Sequence, residues 1–85
     1  MVAAARSDVS DELDVRGQRA QDAREAVRSF VDDAALAGLA TVRVVHGRGT
    51  GAVRAAVRDE LDGHPLVDRS ESDSADGATV AHLGA

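Results

Sequence analysis

Thr41-Val42-Arg43-Val44-Val45-His46-Gly47-Arg48-Gly49-Thr50-Gly51-Ala52-Val53-Arg54 is the stretch on which the fold turns. Thr41–His46 is the most β-branched run in the chain and reads as a central strand. Gly47–Gly51 forms a tight, glycine-rich turn. Behind it Val53, Ala56, Val57 and Leu61 recur at helical spacing, with Arg54 and Arg58 on a polar flank. Gly63-His64-Pro65 stops this helix, and His64 is expected there as an exposed terminator.

Upstream, Glu12–Arg16 alternates polar and apolar, a half-buried strand that Gly17 ends. Leu13 and Val15 point one way, Asp14 and Arg16 the other. Arg19–Ala37 carries a helical period through Ala20, Ala23, Val27, Phe30 or Val31, and Ala34, and Gly38 sits at its C-terminal cap. Arg24, Arg28 and Asp32 lie four apart on the same helix and are expected as a solvated stripe. Downstream, Val67 to about Glu71 is a short strand, Ser72–Gly77 a polar, acidic loop and Ala78–Leu83 the last strand. Met1–Ser10 is small and polar without a period and reads as a linker or tail, leaving residues 11–85 as the domain.

The order is β-α-β-α-β-β. Each strand–helix–strand unit makes parallel strands through a right-handed crossover. If both crossovers step in the same direction, both helices land on one face. The expected fold is a two-layer α/β sandwich: a four-stranded mixed sheet, both helices on one side, the last two strands an antiparallel hairpin.

Composition bounds the function. At 85 residues the chain holds one small core, burying roughly 60% of its unfolded surface. It has no Cys, which excludes a disulfide framework and a thiolate metal site. No apolar run approaches the roughly 18 residues of a membrane helix, so a cytoplasmic setting without a membrane partner is expected. With one Phe and neither Trp nor Tyr, the chain lacks the aromatic platforms on which bases stack.

A net charge of −5 argues at first against nucleic acid. The charge is unevenly spread. Residues 1–15 carry one Arg and four acids, net −3; residues 16–58 carry eight Arg and four acids, net +4; residues 59–85 carry one Arg and seven acids, net −6. Every basic residue is Arg, the side chain suited to bidentate contacts with phosphate or carboxylate.

That basic middle contains one edge with chemistry. Strand one ends at Arg16-Gly17 and strand two at His46-Gly47; as parallel neighbours they lie about 4.8 Å apart. Arg16, His46 and Arg48 then converge, with Asp14 two residues back. The turn Gly47, Gly49, Thr50, Gly51 leads into a helix N-terminus, whose unpaired N–H groups and positive dipole end suit an anion. Carboxyl ends of strands are where open α/β sheets bind ligands. Gly47, Gly49 and Ala52 also match a dinucleotide fingerprint with Asp68 about 20 residues on, but Asp68 falls at the start of a strand. His82, on the last strand, points to the opposite edge from His46. Asp73 and Asp76 are expected in a solvated loop that hangs over the active edge, where it can repel or gate an anion.

Three blocks, Leu13-Asp14-Val15-Arg16-Gly17, His46–Arg54 and Gly77-Ala78-Thr79-Val80 with Leu83, resemble the Smr (small MutS-related) domain over residues 11–83. The L-D-x-R-G form is similar to the C-terminal Smr domain of the second bacterial MutS paralogue. The resemblance implies a two-layer α/β sandwich like the C-terminal domain of translation initiation factor three. It also implies nucleic-acid binding and, in several members, nicking or endonuclease activity. The paralogue is tied to suppressing recombination, other members to cleaving messenger RNA or rescuing collided ribosomes. Members with D-x-H are the clearer nucleases; Arg16 in that slot favours phosphate binding.

The expected function is a nucleic-acid-binding Smr domain with weak, sequence-tolerant nicking of DNA, part of a larger MutS-like ATPase in recombination suppression or repair. The alternative is a non-catalytic module that grips DNA or ribosomal RNA for a tethered ATPase. Arg16, Arg48 and Arg54 with Gly47, Gly49, Thr50 and Gly51 would bind phosphate. His46 would act as general acid or base. Asp14 would orient His46, pair with Arg16 or hold a divalent ion through water. Mg²⁺ or Mn²⁺ would help to generate hydroxide for DNA, whereas RNA carries its own 2′-hydroxyl. The isolated domain is expected to be a monomer.

Overall fold

The computed structural model describes residues 9–49 and 51–84. The first eight residues of the expected linker, and Thr50 of the glycine turn, lie outside the described residues. The elements follow the expected order: β1 (Glu12–Asp14), α1 (Ala20–Leu36), β2 (Thr41–Val45), α2 (Ala52–Asp62), β3 (Val67–Asp73) and β4 (Ala78–Leu83). They form one four-stranded sheet in the order β1-β2-β4-β3, with β1 parallel to β2 and β4 antiparallel to both its neighbours. Both crossovers step the same way across the sheet, so both helices cover one face.

The alternation along β2 sorts its residues. Val42 and Val44 face the helices and are buried, while Thr41, Arg43 and Val45 face away. Val15 continues the parallel ladder one residue past β1, its N–H donating to Val45 O at 2.8 Å. Between sheet and helices lie Val15, Ala23, Val27, Val31, Ala34, Val42, Val44, Val57, Leu61 and Ala81. This core is made almost wholly of Val and Ala, and the lone Phe, Phe30, packs only on its margin. Each fully buried Val or Leu contributes about 1.5–3 kcal/mol.

α1 closes with a Schellman pair: Leu39 N–H donates to Ala34 O and Gly38 N–H to Ala35 O, both at 3.0 Å. Four expectations are corrected here. Arg24, Arg28 and Asp32 are a seam against α2 and its exit, not a solvated stripe. Arg24 Nη1 meets Asp59 Oδ2 at 2.7 Å and Arg28 Nε meets Glu60 Oε2 at 3.1 Å. Asp32 Oδ1 accepts from His64 Nε2 at 3.0 Å. His64 is accordingly buried rather than an exposed terminator. Its Nδ1 accepts the Leu66 N–H at 3.0 Å, which leaves the proton on Nε2 for Asp32.

β3 runs two residues beyond Glu71, because its backbone pairs with β4 through Asp73↔Ala78. Asp73 and Asp76 are ion-paired rather than merely solvated: Asp73 Oδ2 takes Arg43 Nε at 2.8 Å, and Asp76 Oδ1 takes Arg58 Nη2 at 2.7 Å. The β3–β4 turn between them is unusual. Ser74, Ala75 and Asp76 all have positive φ (51°, 52° and 72°) without a glycine among them. Left-handed backbone costs an L-residue about 1–2 kcal/mol. Side chains oppose that cost: Arg43 Nη2 holds Ser74 Oγ at 2.6 Å, and Asp73 Oδ1 accepts the Ser74 N–H at 2.8 Å.

Candidate nucleic-acid interface

The carboxyl ends of β1 and β2 open into a cleft of about 350 Å³. Arg16, His46, Gly47, Gly49, Gly51 and Arg54 line it, with Gly17, Gln18 and Val53. Parallel pairing of Asp14 with Val45 brings the two strand ends side by side and so puts Arg16 beside His46. Arg48 does not join them in the cleft lining; its stem runs toward the β3–β4 turn, where a Cβ on Gly77 would lie 3.9 Å from its Cγ.

Two glycines are required by geometry. Gly47 has φ 76°, and a Cβ there would meet Arg16 Cγ at 3.5 Å, so Arg16 lies directly over the turn. Gly51 is the N-cap of α2 with φ 88°, and a Cβ there would meet Arg54 Nη2 at 3.4 Å. No side chain caps α2. The turn itself is pinned from one side, because Gly77 O accepts both the His46 N–H at 3.1 Å and the Gly47 N–H at 2.9 Å. Among the described residues, the N–H groups of Arg48, Gly49 and Gly51 have no partner, which leaves donors for an anion.

Asp14 is the partner of Arg16. Arg16 Nε and Nη2 donate to its carboxylate at 3.0 and 2.7 Å, and the Arg16 N–H adds a third bond to Oδ1 at 3.0 Å. These hydrogen bonds hold the Asp14 carboxyl at about 2, well below its usual 3.8. The pair is half-exposed and open to exchange with a stronger oxyanion. Asp76 is also held below the usual carboxylate range, by its hydrogen bonds to Ser72 and Arg58. Among the described residues, only Arg19 and Arg48 of the arginines carry no ion pair.

His46 is not oriented by Asp14. Its Nδ1 lies 2.8 Å from Gly47 O and its Nε2 2.8 Å from Thr79 Oγ1. A carbonyl only accepts, so Nδ1 carries the proton and Nε2 of the neutral ring accepts the Thr79 hydroxyl. Thr79 is the residue that sequence reasoning passed over. It sits on β4 opposite Val44, facing the helices beside Ala81, and is buried. A threonine at an inward position, where Val or Ala would pack as well, was the available signal.

The donors do not fit a resident Mg²⁺ or Mn²⁺. Both Asp14 oxygens are engaged by Arg16, and among the described residues no three His, Cys, Asp or Glu side chains group as metal ligands. His82 lies across the sheet, paired with Thr41 at the start of β2, its Nε2 3.4 Å from Glu71 Oε1. Asp68 starts β3 at that same far edge, so the dinucleotide reading has no acidic residue near the turn.

Such an arrangement defines a class: small two-layer α/β modules whose binding edge offers guanidinium and backbone N–H to an anion, without an aromatic platform. Within that class, the chain belongs to the Smr domain family, whose model matches residues 13–84. It is 44% identical over 79 residues to Endonuclease MutS2 of Halalkalibacterium halodurans, covering 88% of this chain and 10% of that protein. It is 44% identical over 80 residues to Endonuclease MutS2 of Symbiobacterium thermophilum, covering 89% and 10% respectively. The chain thus spans about a tenth of the length of these relatives. The crystal structure of the Smr domain of Thermus thermophilus MutS2 superposes with a TM-score of 0.83 at 33% identity, covering 87% of this chain and 98% of that one. YdaL, a stand-alone small MutS-related protein from Escherichia coli, superposes at 0.78 with 26% identity, covering 85% of this chain and 63% of that one. No helix among the described residues is long and apolar enough to cross a membrane.

Proposed function

We propose that this chain is a nucleic-acid-binding, nuclease-like module that seats backbone phosphates in the cleft between Arg16 and the Gly47–Gly51 turn. The observation that carries the reading is the cleft itself, where Arg16, Arg54 and unpartnered backbone N–H groups meet at a helix N-terminus. Phosphate and backbone shape are recognised, with little base preference, since no aromatic platform exists. The module works within a larger MutS2-like ATPase in recombination suppression or repair, a context that the MutS2 relatives and the family resemblance support. DNA is the expected substrate.

In the cleavage step, water attacks phosphorus and the bond to the leaving oxygen breaks. His46 Nε2, the ring's acceptor, takes the proton from the water by exchanging its Thr79 hydrogen bond. Arg16, Arg54 and the turn N–H groups offset the charge that builds on the phosphoryl oxygens. A specific observation favours a second reading, binding without cleavage: both His46 nitrogens already have partners in the free protein.

Nicking of supercoiled plasmid separates the two, using wild type, His46→Ala and Arg48→Ala, each with and without EDTA. Loss of nicking in His46→Ala supports cleavage. Equal nicking by all three marks a contaminant and leaves the binding reading alone. The EDTA arm reads whether a divalent ion enters with the substrate. Binding that survives Arg16, Arg48 and Arg54 all changed to Gln ends both readings.

A further inference from the structure

The acidic turn between β3 and β4 reaches the basic face of α2, and the contact has the form of a ligand in a site. Arg54 and Arg58 stand four residues apart, neighbours on one helix face. Both reach the same carboxylate: Arg58 Nη2 lies 2.7 Å from Asp76 Oδ1 and Arg54 Nη1 lies 3.7 Å from Asp76 Oδ2. Arg58 Nη2 also donates to Ser72 Oγ at 2.6 Å. Arg54 lines the cleft, so the pair continues it along α2.

The turn that supplies Asp76 is held in an unfavourable backbone, with three successive non-glycine residues at positive φ. Asp76 is half-exposed, and neither arginine is fully buried, so an incoming anion can reach the pair. Carboxylate and phosphodiester are both oxyanions that guanidinium grips through paired N–H donors, so one replaces the other without rebuilding the site. Releasing the turn also relieves its backbone, which lowers the cost of exchange.

We propose that Arg54 and Arg58 form a second phosphate-binding pair, occupied by Asp76 in the free protein and claimed by a nucleic-acid backbone that displaces it. The inference rests on the nucleic-acid reading above and extends it by one further phosphate, bound beside the cleft. Asp76 is a surrogate for that phosphate, and it raises the threshold for binding. The Ser74–Gly77 turn is also the anchor of the glycine turn, through Gly77 O. Opening it therefore acts on both parts of the interface.

The test is fluorescence anisotropy with a short fluorescein-labelled DNA duplex across a salt series. Asp76→Asn removes the charge and suits the backbone, because Asn tolerates positive φ. It is expected to tighten binding about three- to tenfold and to steepen the logarithmic salt slope by about one, the signature of one more neutralised phosphate. Adding Arg58→Gln to Asp76→Asn removes most of that gain. Wild-type affinity and slope in Asp76→Asn overturn the proposal, while the cleft reading stands if Arg16→Gln still weakens binding. Should Asp76→Asn fail to fold, NMR on the wild type decides. Movement of the Arg54 and Arg58 Nε–H signals and of the Ser74–Gly77 amides on adding duplex supports the exchange. Stationary signals there, with the Gly47, Gly49 and Gly51 amides moving, overturn it. If nothing moves, the nucleic-acid reading falls and takes this one with it.

Discussion

The Nε2 atom of His46 rests 2.8 Å from the hydroxyl oxygen of Thr79, a bond between the loop after β2 and the strand beside it. Both residues are buried, so the bond has no water to replace it. Thr79→Val keeps the shape and removes the donor, leaving Nε2 unsatisfied. The expected loss is about 1–3 kcal/mol of unfolding free energy in urea, with Thr79→Ser close to wild type. Ring ¹⁵N shifts should place the proton of wild-type His46 on Nδ1. A proton on Nε2 would show that the bond runs the other way.

The Asp14–Arg16 pair makes a signature in acid. Because the folded carboxyl titrates at about 2 and its ordinary value is 3.8, the native state holds this proton less tightly than the unfolded chain. The contribution of the pair is therefore complete above about pH 3.8 and disappears as pH falls toward 2. Asp73 and Asp76, lowered chiefly by Arg43 and by Ser72 with Arg58, act in the same direction. A carbon-detected titration of wild type and Arg16→Gln checks this. Asp14 should move back toward the ordinary value in the variant, and titration near 3.8 in the wild type would refute the pairing.

Glycines of the binding turn should differ in their response to alanine. Gly51→Ala puts a side chain at φ 88° and a Cβ 3.4 Å from Arg54 Nη2. It should cost about 1–2 kcal/mol and weaken duplex binding. Gly49 has no positive φ, and a Cβ there meets nothing within 4 Å. Gly49→Ala should therefore be neutral or stabilise by up to about 1 kcal/mol. Thermal melts and anisotropy on both variants make the comparison, and equal losses would refute this assignment.

Leu61 is the largest fully buried side chain, in a core that has few others of its size. Leu61→Ala should cost about 2–5 kcal/mol, enough to unfold much of so small a domain at moderate temperature. Leu36, 71% exposed at the end of α1, is the control: Leu36→Ala should change stability by no more than about 0.5 kcal/mol. Chemical denaturation of the two variants measures the contrast.

The elements were legible because the apolar residues of each obey one period. Val42 and Val44 alternate, while Ala23, Val27, Val31 and Ala34 step by three and four, and the structure buries all six. Arg16 and His46 were legible as neighbours because a parallel crossover brings strand ends to one edge. What could not be read was each partner distant in sequence. His64 looks like a terminator beside Pro65 until Asp32 arrives from α1. Arg24 and Arg28 look solvated until Asp59 and Glu60 face them. Ser72 and Asp73 have little strand propensity, and only pairing with β4 extends β3 to include them. Thr79 follows the same logic: its role depends on a ring 33 residues away.

Chain direction has a practical result. Asp11 and Ala40, which accept the N–H groups of Arg43 and Leu83, border the edge where β1 and β2 begin and β4 ends. The cleft opens at the other end of the same strands, roughly 15 Å away for a five-residue strand. A dye, surface tether or fusion partner joined near either of those ends holds the module by its handle. The working tip points outward, so immobilised or fused forms should keep the access to long duplexes that the free domain has.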